Sequence, residues 1–246
     1  MKNVLQSSSP SCGETKSKLV MPMAPPLVGG ATPTSPLQEY RIIPIPNKLA
    51  QEIIVREHYL HRKAPCSFAF GLVLDNVLYG VIMYGTPSSA PLRRGIAGLE
   101  HASNVIELTR LWIDDRVPKN GESYLIGRTL RYLNKEIVVS FADTSQNHLG
   151  IVYQATNWIY TGLSAKRTNW TVEGMEGKHG QTIADKYKTS KEIKARFGDK
   201  FSLQPRPRKH RYIYLRAKGK RREELIHSLL YPIVPYPKKE IAWKRF

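Results

Sequence analysis

Residues 105–143 read VIELTRLWIDDRVPKNGESYLIGRTLRYLNKEIVVSFAD, and the architecture follows from how this run divides. VIELTRLWI (105–113) is β-prone and apolar on both faces, as a central strand covered from each side has to be. Asn120 opens a helical segment in which Ile126, Leu130 and Leu133 recur at i, i+4 and i+7, one apolar stripe. IVVSFAD (137–143) is a short apolar strand ending in an acid. Strands alternating with helices argue for an α/β sheet with parallel neighbours.

Toward the N-terminus, NKLAQEIIVREHYLHR (47–62) predicts a helix, with Asn47 as N-cap and Leu49, Ile53 and Leu60 at near-helical spacing. SFAFGLVL and VLYGVIMYG follow as two β-rich runs joined by Asp75-Asn76, residue types that tolerate the positive φ of a hairpin turn. Toward the C-terminus, GIVYQATNWIYTG (150–162) reads as a helix running into a strand. Thr189 and Glu192 form a capping box opening TSKEIKARFG, closed by Gly198, and RYIYLR resumes strand character. Eight of the 17 prolines fall in residues 1–46, so residues 1–36 read as a flexible leader. Residues 37–216 read as one domain and 217–246 as a basic C-terminal extension.

With 246 residues and 28.0 kDa the chain is long enough to bury a real core, and 41% hydrophobic with 24% charged residues is a globular balance. No apolar run approaches the roughly 20 residues of a bilayer crossing, and the first residues carry no signal-like apolar block. Two cysteines, Cys12 and Cys66, make neither a disulfide framework nor a four-cysteine zinc site. A cytoplasmic location with no membrane partner is expected. The net charge of +18 and pI near 9.9 call for a polyanionic partner. Residues 205–246 alone hold 13 Lys or Arg against 3 Glu. Such clustering favours nucleic acid over mere solubility or an acidic membrane surface.

The order of elements is that of the GCN5-related N-acyltransferase fold, a mixed sheet flanked by helices. The words EHYLHR (57–62), ELTRLWI (107–113), NGESYLIGRTLRYL (120–133), SFADTSQNHLGIVYQATNWIYTG (140–162) and KHRYIYL (209–215) are more specific. Together they resemble the Mom family of phage DNA-modification proteins, across about residues 48–216. The resemblance implies double-stranded DNA as substrate, conversion of adenine to its N6-carbamoylmethyl form, and protection of phage DNA from host restriction. It leaves the donor of the two-carbon unit open between an acyl-CoA-like and a glycine-derived compound, and it makes iron a candidate cofactor. An ordinary N-acyltransferase and a noncatalytic DNA-binding protein are the competing readings. A methyltransferase finds little support, because no G-x-G cofactor loop and no acidic-Pro-Pro-aromatic tetrad is present.

Arg110 lies two residues from Leu108 and from Trp112, so strand alternation places it beside apolar neighbours. It reads either as an anion clamp or as half of an ion pair with Asp143 or Glu107. Asp143 ends its strand, where ligand crevices open in α/β sheets; it reads either as a proton acceptor or as a turn cap. Tyr153 is a core aromatic by its neighbours and, by the resemblance, the group that protonates the leaving group. His58 and His61, at i and i+3, with Tyr59 between, read as adenine-contacting residues, as exposed histidines at a frayed helix end, or with Asp143 or Glu107 as a metal site. Asn120, Gly121, Ser123 and Tyr124 open the helix that presents amides to a pyrophosphate in acyltransferases, but the usual glycine pattern is reduced to Gly121 and carries Glu122. Ser123 is also a catalytic candidate, and Gln154 and Asn157 are candidates for base-edge contacts. Arg62, Lys63, Arg206, Arg208, Lys209, Arg211, Lys218, Lys220 and Arg221 are the candidate phosphate contacts.

Overall fold

The computed structural model describes residues 36–175, 183 and 186–238. In chain order these form β1 (Arg41–Pro44), α1 (Asn47–Glu57), β2 (Phe68–Leu74), β3 (Val77–Gly85), α2 (Ala90–His101), β4 (Val105–Ile113), α3 (Gly121–Thr129) and β5 (Ile137–Asp143). Then follow α4 (Ile151–Gln154), β6 (Ile159–Leu163), β7 (Arg167–Val172), α5 (Ser190–Phe197), β8 (Phe201–Arg206), β9 (Lys209–Leu215) and α6 (Gly219–Ser228). Seven strands make one mixed sheet in the order β1-β2-β3-β4-β5-β9-β6, while β7 and β8 pair apart from it. Within the large sheet only β4 and β5 run parallel, as expected for strands joined through a helix. The acyltransferase-like α/β sheet expected from the sequence is therefore the one observed. The leader read for residues 1–36 lies, apart from Pro36, outside the described residues, as does Cys12.

Apolar alternation divides the helices between the two faces. Leu125, Ile126, Leu130 and Leu133 bury the α3 stripe against Ile106, Leu108 and Val138, and Trp158 and Tyr153 from the α4 region join them. Each such side chain contributes about 1.5–3 kcal/mol by leaving water. The buried Tyr84 hydroxyl meets Thr129 Oγ1 at 2.8 Å, so neither polar group is left without a partner. On the other face Ile53 and Ile54 of α1 cover Val81 and Met83, while Ile96 of α2 and Leu225 of α6 cover Val139 and Ile213. Asp75 and Asn76 both take positive φ, 48° and 61°, as the hairpin demands. Thr189 Oγ1 accepts the Glu192 amide at 3.2 Å, and Gly198 closes α5 at φ 53°.

Three expectations are corrected. α1 ends at Glu57, not Arg62: His58 is already extended, and its Nδ1 accepts the Leu60 amide at 3.1 Å, a side-chain bond that competes with the next helical turn. Asn47 is not the cap but the first helical residue, and its amide Nδ2 instead donates to the Cys66 carbonyl at 3.1 Å. Arg110 does not share a face with Leu108. Met83 is in register with Arg110 and Tyr84 with Leu108, so Thr109 is an extra, bulged residue. The bulge shifts the alternation by one: Leu108, Leu111 and Ile113 join the α3-side core, whereas Trp112 packs on the α1 side. Arg110 thereby comes to the same side as Glu107.

A glycine sets the entry to α4. Gly150 sits at φ 74°, and a Cβ there would run into the Tyr212 ring. Gly150→Ala combines a left-handed backbone with overpacking, and we expect it to lower unfolding stability by about 2–4 kcal/mol. Chemical denaturation measures this; an unchanged midpoint would show that the approach of Gly150 to Tyr212 is unimportant.

Candidate functional site

β4 and β5 pair only through Val105–Glu107 against Ile137–Val139; beyond those residues the two strands continue without pairing. Side chains, not backbone, have to fill such a gap. Ser140 begins the task, its hydroxyl donating to the Leu108 carbonyl at 3.1 Å. The rest is open: a cleft of about 980 Å³ runs through the gap, lined by residues of both faces of the sheet. This is the size range of small-molecule and nucleotide pockets. Arg110, Asp143, Tyr153, His58 and Tyr59, scattered across the sequence, all line it.

On the α1 and α2 side the cleft carries the cations Arg110 and Lys209 and the buried acid Glu107. The Arg110 guanidinium donates to the carbonyls of Thr109 at 2.7 Å and Arg62 at 3.4 Å, and among the described residues no carboxylate pairs with it. The ion pair considered from the sequence is thus not formed, and the charge remains available to a ligand. Glu107 is the corresponding acid. Burial pushes its carboxyl up to about 7, against the pull of Arg110 and Lys209. No hydrogen bond or ion pair occupies it among the described residues. A carboxyl of this kind changes protonation near neutrality, as a general base does. The sequence reading used Glu107 only as a partner for other groups; the bulge that aligns it with Arg110 left no mark in the strand pattern.

Asp143 is engaged differently. It accepts from the Ser145 amide and hydroxyl at 3.0 and 2.7 Å and pairs with Lys209 Nζ at 2.9 Å. Burial raises this carboxyl, but the Ser145 and Lys209 contacts outweigh that and hold it below the usual range. It is the turn cap of the alternative reading, and a poor proton acceptor. His58 is buried, and burial together with Arg110, His61, His148 and Lys209 lowers it to about 4. It is neutral at working pH, and since Nδ1 accepts the Leu60 amide the proton resides on Nε2. Tyr59, 46% exposed, stacks on the His58 ring at 4.4 Å and meets His148 edge-on at 6.0 Å. Tyr59 thereby presents an aromatic ring to the cleft.

From the α3 side Tyr153 enters through the gap. Its ring is packed between Trp158 and Tyr212, and its hydroxyl is hydrogen-bonded to Ser140 Oγ at 2.8 Å. Burial pushes the phenol up to about 12. It is both the core aromatic and a cleft residue, and near neutral pH its phenol is protonated. The helix start behaves otherwise. Asn120, Gly121, Ser123 and Tyr124 do not line the cleft: the Ser123 hydroxyl donates to the Asn120 carbonyl at 3.0 Å, Gly121 is buried against Val117, and Tyr124 packs on the core. Glu122 is the residue of that turn that does line it. A carboxylate there opposes a pyrophosphate. Gln154 donates to the Leu149 carbonyl and the Tyr212 hydroxyl, and Asn157 is in the left-handed turn before β6, so neither faces the cleft.

The metal candidates do not assemble. His61 lies in a left-handed turn with Nδ1 on the Val55 carbonyl, and Asp143 is held by Lys209. Among the described residues no three of His, Cys, Asp and Glu are grouped to hold a metal ion. The residues present therefore do not fit an iron site. The basic residues also divide. Arg62 and Lys63 are exposed beside Arg110, and Arg206 and Lys209 line the cleft. Arg208 is tied to the carbonyls of Leu163 and Ser164, and Arg211 is buried, bonded to Thr161 and stacked on Tyr231. Lys218 and Lys220 lie past the far end of β9, roughly 20 Å along the strand, and Arg221 pairs there with Glu136 and Glu224. Among the described residues the basic tail is not one surface.

A mixed sheet in this strand order, whose parallel pair parts over a cleft, is of the acyltransferase-like fold class. Within that class the chain belongs to the Mom protein family, whose profile matches residues 39–238. It is 30% identical over 208 residues to the methylcarbamoylase Mom of Escherichia phage Mu, covering 82% of this chain and 85% of that protein. Among solved structures it is similar to the acetyltransferase yncA of Salmonella typhimurium with acetyl-CoA (8% identity, TM-score 0.42, 74% of this chain and 96% of that one). It is also similar to the ribosomal-protein-S5-alanine acetyltransferase of Vibrio fischeri (10% identity, TM-score 0.42, 74% and 96%). The fold assignment rests on the strand order and the parting of β4 from β5.

Proposed function

We propose that the chain is a transferase that attaches a carbamoylmethyl group to N6 of adenine in double-stranded DNA, shielding phage DNA from restriction in the host cytoplasm. The observation that carries the chemistry is the pair Glu107 and Arg110 in the cleft, a buried carboxyl without a hydrogen-bond partner among the described residues and a guanidinium that no carboxylate holds. Adenine N6 is paired inside a duplex, so the base has to leave the stack to react. Tyr59, backed by His58, offers the ring on which a purine stacks. As N6 forms its bond to the donor carbon and that carbon's bond to its leaving group breaks, Glu107 takes the N6 proton and Tyr153 gives its proton to the departing group. Arg110 holds negative charge on donor or substrate, and Asp143 fixes Lys209 and the turn beside the cleft. Arg62, Lys63 and Arg206 meet the DNA backbone.

The donor is an acyl-CoA-like or glycine-derived compound. Glu122 at the helix start weighs against a CoA pyrophosphate held there in the usual way. No step is assigned to iron, for which the residues do not fit. A panel of restriction enzymes with adenine in their sites provides the check. DNA from cells making the chain is expected to resist a subset of them, and DNA from cells making Glu107→Gln none. Complete cutting of both DNAs by the whole panel, with folded protein abundant, would contradict the proposal.

A further inference from the structure

Between β6 and β9 the chain leaves the main sheet, and the described residues of the stretch 164–208 build a lobe of their own. β7 and β8 pair as a two-stranded ribbon, closed on one side by α5 and a small core of Val172, Ile183, Tyr187 and Ile193. Trp170, Val172 and Phe201 turn toward that core. Strand alternation then sets Arg167, Asn169, Thr171, Ser202, Gln204 and Arg206 on the opposite face. Register pairs like with like across it: Arg167 with Arg206, Asn169 with Gln204, Thr171 with Ser202. The face is wholly polar, and neither strand contains an acid.

A solvated ribbon face needs only to be polar, and mixed charge serves that purpose. Here the charges are of one sign, and the residue types are those that read nucleic acid. Asn and Gln pair bidentately with adenine, and Arg with guanine, on the base edges of the major groove, which is wide enough for a two-stranded ribbon. Residues 164–208 hold 11 Lys or Arg against 5 Asp or Glu, so the lobe as a whole is complementary to a polyanion. Position supplies a further argument. Arg167 and Arg206, at the root of the ribbon, line the catalytic cleft, so the polar face continues outward from the mouth. Adenine presents N6 in the major groove, the same groove a ribbon beside the cleft would enter.

We propose that the polar face of β7 and β8 lies in the major groove next to the target adenine and selects the bases flanking it. This rests on the reading of the chain as a modifier of duplex DNA and adds to it the element that sets sequence context. Arg167 and Arg206 meet phosphates at the root; Asn169 and Gln204 read base edges further along.

Two variants of the full chain test it, each checked by thermal melting, since neither alters the core of the lobe. Asn169→Ala with Gln204→Ala is expected still to yield modified adenine, with preference at one or two flanking positions relaxed on the order of 10-fold when modified sites are mapped by sequencing. Arg167→Ala with Arg206→Ala is expected to weaken binding to an unmodified duplex and to reduce the slope of log affinity against log salt by about 2. A wild-type site profile in the first variant would overturn the base-reading role, and a wild-type salt slope in the second would overturn the placement of the ribbon on duplex DNA. So would an equal loss of slope on single-stranded RNA of the same sequence. Should the wild-type chain leave adenine untouched, the catalytic assignment fails on its own, and the duplex salt slope still decides the role of the ribbon.

Discussion

Glu107→Gln is expected to lower the proposed adenine modification by roughly 10²–10⁴-fold, the usual share of a general base, with duplex binding kept at the wild-type level. The same change stabilises the protein above neutral pH. Burial raises the carboxyl from 4.5 to about 7, so its ionisation costs the folded state more than the unfolded one. Its contribution to stability is therefore fullest below about pH 4.5, falls as the pH rises toward 7, and is constant and unfavourable above that. Glutamine removes this penalty. With some discount for the carboxyl's path to water through the cleft, the gain at pH 8 is about 2 kcal/mol. Loss of activity with a higher unfolding midpoint is the pattern of a group strained for function. A lower midpoint at pH 8, with activity lost in proportion, would make Glu107 a structural residue. In wild-type extracts modification should rise with pH through about 7, because only the ionised carboxyl accepts a proton.

Tyr153→Phe is the second large effect, again roughly 10²–10⁴-fold in modification. The hydroxyl alone is removed. The ring keeps its packing against Trp158 and Tyr212, and Ser140 keeps the Leu108 carbonyl as acceptor, so stability falls by only about 0.5–1.5 kcal/mol. Full activity in Tyr153→Phe would leave the phenol a packing residue only. Nucleoside quantification and a denaturation curve on the same preparation separate the two roles.

The core of the fold was legible because its signals are local. The stripe of Ile126, Leu130 and Leu133, the hairpin at Asp75-Asn76 and the acid at the end of β5 each act within a few residues. Elements without such signals were missed. α2 carries Pro91, Gly95 and Gly98, and its backbone is kinked at Ala97 and Gly98, which breaks any helical period. β7 and β8 are short and polar on one face, and α6 buries Leu225 amid a run of charges. The site divides in the same way. Arg110, Asp143 and Tyr153 do share one cleft, yet the roles of the two acids come from context that is remote in sequence. Lys209, 66 positions away, holds Asp143. A single bulged residue brings Arg110 beside Glu107. Register and bulges depend on the partner strand, so no pattern within β4 itself announces them.

The decisive measurement is mass analysis of nucleosides digested from DNA of cells that make the chain, run beside the Glu107→Gln protein at matched abundance. The cleft chemistry argued here requires N6-carbamoylmethyl-deoxyadenosine in the first digest and its near disappearance in the second. Deoxyadenosine alone in both, with wild-type protein folded and bound to duplex DNA, would mean that these residues meet for some other purpose.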